Sequence, residues 1–169
     1  MPKAVRVALL VNPANITNTE VTSREVQEAA RAIGLEIQIF NANTIGEIDA
    51  AFATLARERS DALFVSGGGF LSSRRVQIAT FAARDRIPAA YSTRDAVAAG
   101  GLMSYSADIV DSFRQVGIYV GNILKGAKPS DLPVVQSTRF MFAINLGTAR
   151  ALVIEVPETL LATADEVIQ

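Results

Sequence analysis

The stretch Val5-Arg6-Val7-Ala8-Leu9-Leu10-Val11-Asn12-Pro13-Ala14-Asn15 constrains the fold of this chain more than any other. Val5, Val7, Ala8, Leu9, Leu10 and Val11 form a nearly continuous apolar run. Such a run suits a strand covered on both faces, as in a parallel sheet. Asn12-Pro13 stops it. Proline offers no N–H to a ladder and restricts the residue before it. The polar turn therefore sits at the carboxyl end of a central strand, which is where ligands bind in open α/β sheets.

The following segments repeat the arrangement. Thr17, Asn18 and Thr19 offer N-caps for a helix from about Glu20, with Val26, Ala29, Ala30 and Ile33 as its apolar stripe and Gly34 at its end. Leu35–Phe40 alternates with period two and reads as a second strand. Ile45–Arg59 is an amphipathic helix with Ile48, Phe52, Leu55 and Ala56 on one side. Asp61–Ser66 is a short buried strand that stops at Gly67-Gly68-Gly69-Phe70. A helix from about Leu71 to Asp85 leads to a fourth strand, Ile87–Tyr91, then a short helical piece, Ala96–Ala99, and a fifth strand, Leu102–Ser106. The alternation predicts an α/β fold, a doubly wound parallel sheet with right-handed crossovers.

Beyond residue 106 the pattern changes. Ala107–Lys125 reads as a long helix with Ile109, Val110, Phe113, Val116, Gly117, Val120, Ile123 and Leu124 on one broad face. A linker over Lys128–Pro133 precedes bent strand-like pieces at Val134–Gln136 and Arg139–Ile144. Leu146–Leu152 and Pro157–Ile168 read as helices. The expected organisation is a ligand-binding lobe at 1–106 and a C-terminal segment of the same fold at 107–169.

In a parallel sheet the strand ends line up along one edge. Asn12 and Asn15, Asn41, Asn43 and Thr44, Ser66 to Phe70, Tyr91, Ser92 and Arg94, and Tyr105 and Ser106 would then surround a polar cleft with two or three rings. Such a cleft suits a small polar organic ligand. The same Asn, Ser and Thr residues are also what βα turns and helix caps require, so each serves either role. Gly67-Gly68-Gly69 before a helix could cradle an anion. It lacks the lysine and spacing of a phosphate loop and does not match G-x-G-x-x-G, so a nucleotide is not expected. Arg94, in a loop at a strand end, is a candidate for binding a carboxylate.

Composition narrows the function further. The chain has 169 residues, a net charge of −1, and neither histidine nor cysteine. It thus lacks the commonest general base, the commonest transition-metal ligand and any thiolate. No metal site, cofactor or catalytic constellation is expected, and the mixed charges present no nucleic-acid patch. No apolar run reaches the roughly 20 residues of a membrane span. Met1-Pro2-Lys3 leads directly into the first strand without a signal peptide, so the chain is expected to be cytoplasmic or to have its leader outside this sequence.

Several strings resemble one family. Val7–Asn15, Gly100-Gly101-Leu102-Met103-Ser104-Tyr105, Arg114–Tyr119, Ile123–Pro129 to Asp131-Leu132-Pro133, and Ile144-Asn145-Leu146 are similar to the ABC transporter substrate-binding proteins related to tryptophan- and tyrosine-binding proteins. The resemblance runs the whole chain. It implies a type I periplasmic-binding-protein fold, in which two Rossmann-like lobes hold the ligand between them. This chain would be the second lobe and the C-terminal segment. The function implied is capture of an amino acid or similar small solute, without chemistry, for an ABC permease outside the cytoplasm.

The resemblance also adds residue roles. Asn12 and Asn15 become the leading ligand contacts, with Ser66 and Arg94 next, Gly67, Gly68 and Ser92 beside them, and Phe70, Tyr91 and Tyr105 lining the pocket. Where many relatives carry an Asp-Pro-aromatic turn, this chain has Gly68-Gly69-Phe70. Where many carry a bulkier polar-aromatic pair after the tyrosine, it has Ser92-Thr93. Both changes make the cleft roomier and less charged. In similar proteins the helix matching 107–125 packs on the first lobe, so here a homo-oligomer through that helix is expected. The competing expectation is a cytoplasmic ligand-sensing module of a transcriptional regulator.

Overall fold

The computed structural model describes residues 4–169. Its backbone is one seven-stranded sheet in the order β2-β1-β3-β4-β5-β6-β7. The first five strands are β1 (Arg6–Val11), β2 (Glu36–Asn41), β3 (Ala62–Val65), β4 (Ala89–Tyr91) and β5 (Met103–Ala107), and all run parallel. This is the doubly wound α/β arrangement that the strand–helix alternation predicts. The sheet is mixed at its far side, because β6 (Phe140–Asn145) is antiparallel to β5, and β7 (Glu166–Ile168) is parallel to β6.

Strand alternation decides what each face packs against. On one face Ala8 and Leu10 of β1, Leu63 and Val65 of β3, and Ala89 and Tyr91 of β4 form a single buried cluster. Three helices cover it: α2 (Ile45–Glu58) with Ile48, Ala51, Phe52 and Leu55, α4 (Arg75–Arg84) with Ile78 and Ala82, and α5 (Arg94–Ala98) with Ala96. Phe52 and Phe81 meet edge to face at 5.3 Å between centroids. The strand order reverses between β1 and β3. Right-handed crossovers then place α1 (Ile16–Ala32) on the opposite face, against β2.

Local chemistry sets several boundaries. The first helix begins a turn earlier than Glu20, because Asn15 is its N-cap and its Oδ1 accepts from the Asn18 amide at 3.4 Å. Thr44 and Glu47 form a reciprocal capping box on α2. The expected helix Leu71–Asp85 is two pieces, α3 (Gly69–Ser73) and α4, broken at Arg74. Val134–Gln136 is not a strand: no neighbouring strand offers it a ladder, and the extended pairing begins at Phe140.

The expected C-terminal helix over Pro157–Ile168 is largely absent. It divides into α8 (Glu158–Leu161) and β7, after α7 (Leu146–Ala151). Asp165 explains the change. Its carboxylate accepts from the Phe142 amide at 2.7 Å and its own N–H donates to the Phe142 carbonyl at 2.9 Å, which docks the segment onto β6. The long helix is present as α6 (Ile109–Leu124), capped by Asp108, and none of its residues is buried.

Candidate functional site

The strand order reverses between β1 and β3, and the crevice at such a reversal opens at the carboxyl ends of those strands. Here the ends are Asn12–Asn15 and Ser66–Gly69. Asn12 shapes the first turn. Its Oδ1 accepts from the Ala14 amide at 3.0 Å, and its carbonyl accepts from the Thr19 hydroxyl at 2.7 Å. Asn15 then spends its oxygen on the α1 cap, which leaves its amide nitrogen as a donor. That Nδ2 lies 3.8 Å from where a Cβ on Gly68 would stand.

The edge continues to β4. A Cβ on Gly67 would stand 3.3 Å from the Ser92 hydroxyl oxygen. Gly68 has φ of +144°, a conformation that disfavours any side chain. The glycines therefore bring backbone close to the polar groups on either side. Ser66 is buried at the end of β3. Asn15, Gly68, Gly67 and Ser92 thus form a continuous rim over β1, β3 and β4. Beyond Ser92 the rim opens into a cavity of about 510 Å³ bounded by Thr93, Arg94, Ser106, Ile109, Val110 and Met141.

The aromatic candidates do not converge on this rim. Tyr91 is 3 % exposed and belongs to the core cluster under α4 and α5. Burial pushes its phenol above the ordinary value, so the hydroxyl stays protonated. Phe70 packs against the same cluster. Tyr105 is 65 % exposed and stacks on Phe140, with ring centroids 5.5 Å apart and planes nearly parallel. It points to the same sheet face as Met103, two residues before it, rather than to the carboxyl edge.

Arg94 borders the cavity, but its guanidinium is already paired. Nε donates to a Glu166 carboxylate oxygen at 2.6 Å and the neighbouring nitrogen donates to the other oxygen. The ion pair holds Glu166 below the usual carboxylate range and raises Arg94 further. Asn43 and Thr44, also at a strand end, give their amides to Glu47 in the α2 capping box. Pattern reading missed Met141, Ile109 and Val110 as cavity residues. Their position depends on β6 running antiparallel to β5, which no local signal announces. Among the described residues no group of three or more acidic side chains gathers as a metal cluster would require.

A family model described as ABC transporter substrate binding protein matches residues 1–168. The chain belongs to this family. Among solved structures, this chain is similar in fold to an ABC domain from Streptococcus pneumoniae in complex with L-Trp. The two are 26% identical with a TM-score of 0.89, over 99% of this chain and 58% of that one. A conserved domain protein from Vibrio cholerae is 23% identical with a TM-score of 0.87, over 99% of this chain and 56% of that one. A substrate-binding protein with adhesive properties from Clostridium difficile, solved ligand-free and open, is 22% identical with a TM-score of 0.74, over 99% and 56%. These last two show the fold alone. This chain therefore spans somewhat more than half the length of each. A search of curated proteins gave no match.

Proposed function

We propose that this chain forms one wall of a cleft that captures an amino acid or similar small organic solute and performs no chemistry on it. In this reading residues 1–106 carry the ligand-facing lobe, and 107–169 supply the hinge helix, the return strand and the terminal elements. The complete protein works outside the cytoplasm and passes its solute to an ABC permease. The observation that carries the reading is the contiguous rim Asn15–Gly68–Gly67–Ser92 at the point where the strand order reverses.

The rim offers chemistry for a zwitterion. The Asn15 amide nitrogen and the first amides of α3, which open a helix at Gly69, donate toward a carboxylate. The Ser92 hydroxyl accepts from an ammonium group. Asn12 acts through the turn it closes, and Ser66 through its buried place at the end of β3. The adjoining cavity, walled by Ile109, Val110 and Met141, suits an apolar side chain. The L-Trp complex of the pneumococcal relative supports an amino acid as the ligand class. Tyr91, Phe70 and Tyr105 give structure to the lobe rather than a ring to the ligand, and Arg94 holds Glu166. The uncovered face of α6 supports a homo-oligomer.

The test is amide chemical-shift mapping of the full 169-residue chain with L-tryptophan and a panel of polar and apolar amino acids at millimolar concentration. Shifts concentrated at Asn15, Gly67, Gly68 and Ser92 are expected for at least one of them. Shifts that are absent for the whole panel, or that cluster elsewhere, overturn the reading.

A further inference from the structure

Three charged side chains border the cavity beyond Ser92: Arg94, Asp95 and Asp108. Asp108 is engaged on both oxygens. Its Oδ1 accepts from the Val110 and Asp111 amides at 2.9 and 3.1 Å, and its Oδ2 lies 3.2 Å from Arg139 Nε. Asp95 stands in the first turn of α5, next to Arg94 in sequence. Of the three, only Arg94 could attract an acidic side chain of a solute.

The sheet register decides what Arg94 meets instead. Tyr91, Ser104, Ala143 and Glu166 form one row of register partners across β4, β5, β6 and β7. Side chains in such a row share a face of the sheet. Tyr91 lies in the cluster that α5 helps to cover, so Glu166 stands on the α5 side. Arg94 opens α5, which packs over β5 and β6 and so brings the guanidinium toward β7. There Nε donates to one Glu166 oxygen at 2.6 Å and Nη2 donates to the other. This fork-on-fork pairing takes both carboxylate oxygens and one edge of the guanidinium. Glu166 itself does not border the cavity; it stands behind Arg94.

We propose that Glu166 is a specificity-determining residue of the cleft: by occupying the Arg94 guanidinium it makes the cavity reject acidic solutes and take those with an uncharged side chain. The inference rests on the solute-binding reading given above and names the class of solute. Arg94 and Glu166 cancel, as do Asp108 and Arg139, and Asp95 leaves the border with a negative charge that repels a second carboxylate. Ile109, Val110 and Met141 on the same border disfavour a cationic side chain, which would lose hydration without a partner. The Arg94–Glu166 pair is partly exposed, so its influence is that of charges in water. There, one unit charge about 4 Å from another shifts an equilibrium roughly fivefold.

Amide-shift titrations of the full 169-residue chain with L-methionine, L-glutamate and L-lysine test this. In the wild type, L-methionine is expected to move the rim amides at the lowest concentration of the three. Glu166→Gln is expected to tighten L-glutamate by about fivefold and to leave L-methionine unchanged. The double variant Glu166→Gln, Arg94→Gln is expected to lose that gain, which a merely structural role for Glu166 would not produce. Rim shifts with L-methionine but no gain for L-glutamate in Glu166→Gln overturn this inference alone. So does a wild type that binds L-glutamate or L-lysine more tightly than L-methionine. Rim shifts absent for all three solutes in the wild type overturn the solute-binding reading, and this inference with it. Far-UV circular dichroism verifies the fold; the Asp165 contacts with Phe142 hold β7 to β6 without Glu166. Should Glu166→Gln nevertheless unfold, Arg94→Gln decides. It leaves the Glu166 carboxylate unpaired, so L-lysine should gain on L-methionine by about fivefold, and an unchanged ratio sinks the proposal.

Discussion

Gly101→Ala tests the packing that places the fourth and fifth strands. A Cβ on Gly101 would stand 2.6 Å from Cε2 and 2.9 Å from Cδ2 of Tyr91, and 2.8 Å from the Ala96 carbonyl oxygen. Carbon atoms in contact prefer about 3.5–4.0 Å, so the backbone must retreat by about 1 Å. The same Ala96 carbonyl accepts the Gly101 N–H at 2.8 Å, so retreat stretches a buried hydrogen bond. Overpacking costs roughly 1–3 kcal/mol and the weakened bond about 1 kcal/mol more, giving about 2–4 kcal/mol. For a chain of this size each kcal/mol lowers Tm by roughly 2–4 °C, so a fall of about 5–15 °C is expected. Urea unfolding should show a lower midpoint with an unchanged slope. Gly117→Ala is the control. Its Cβ meets nothing within 4 Å, and in the middle of α6 it should stabilise by about 0.5–1 kcal/mol. A Gly101→Ala variant within 0.5 kcal/mol of wild type would falsify the packing argument.

Two further substitutions separate structure from binding. Asn15→Ala should cost about 1 kcal/mol, because it removes the α1 cap, whereas Asn15→Asp keeps the acceptor and should stay within about 0.5 kcal/mol of wild type. If the Asn15 amide nitrogen donates to solute, Asn15→Asp should nevertheless lose the ligand shifts; stability that falls equally in both variants would refute the cap. Asp61 bears on acid stability. Its Oδ2 accepts from the Arg6 and Val5 amides, both at 2.8 Å, and those bonds hold its pKa below the ordinary value. The unfolded chain, with a value near 3.9, takes the proton first as pH falls. The stabilisation is therefore present above about pH 4 and lost below it. Asp61→Asn should be less stable at pH 7 and show a shallower decline between pH 4 and pH 2, read from urea midpoints. A decline as steep as wild type would count against that role.

Period and punctuation made the first five strands legible. Val7–Val11 could hardly be anything but a central strand, and Gly67-Gly68-Gly69 marked a place where backbone must pass close to something. What it passes, Asn15 on one side and Ser92 on the other, required the strand order. The rings were misleading for a physical reason. Tyr91 and Phe70 stand at strand ends in sequence, but the strand pleat turns Tyr91 into the core and the helix start packs Phe70 against it. Arg94 reads as a candidate for binding a ligand carboxylate because its actual carboxylate partner, Glu166, lies 72 residues away, on a strand that reads locally as helix. Pro157–Ile168 reads locally as a helix, and the deciding contact, Asp165 with Phe142, is tertiary.

The resemblance to Gly100-Gly101-Leu102-Met103-Ser104-Tyr105 also has a physical content. Gly100 has φ of +102° and Gly101 has no room for a Cβ, so both positions exclude other residues on backbone grounds. Ser104 has no exposed surface and pairs in register with Tyr91, and Met103 forms part of the open groove floor. The string therefore serves two faces of one strand. One face closes the core, and the other floors the groove. The same division runs through the molecule. The core from β1 to β5 is closed by its own helices, while among the described residues much of the apolar face of α6 stays exposed and the groove floor stays open. Stability of the lobe and completion of its surfaces are thus separable. A Gly101 substitution should lower Tm, and a Phe113 substitution, at a side chain 69 % exposed, should leave the core intact.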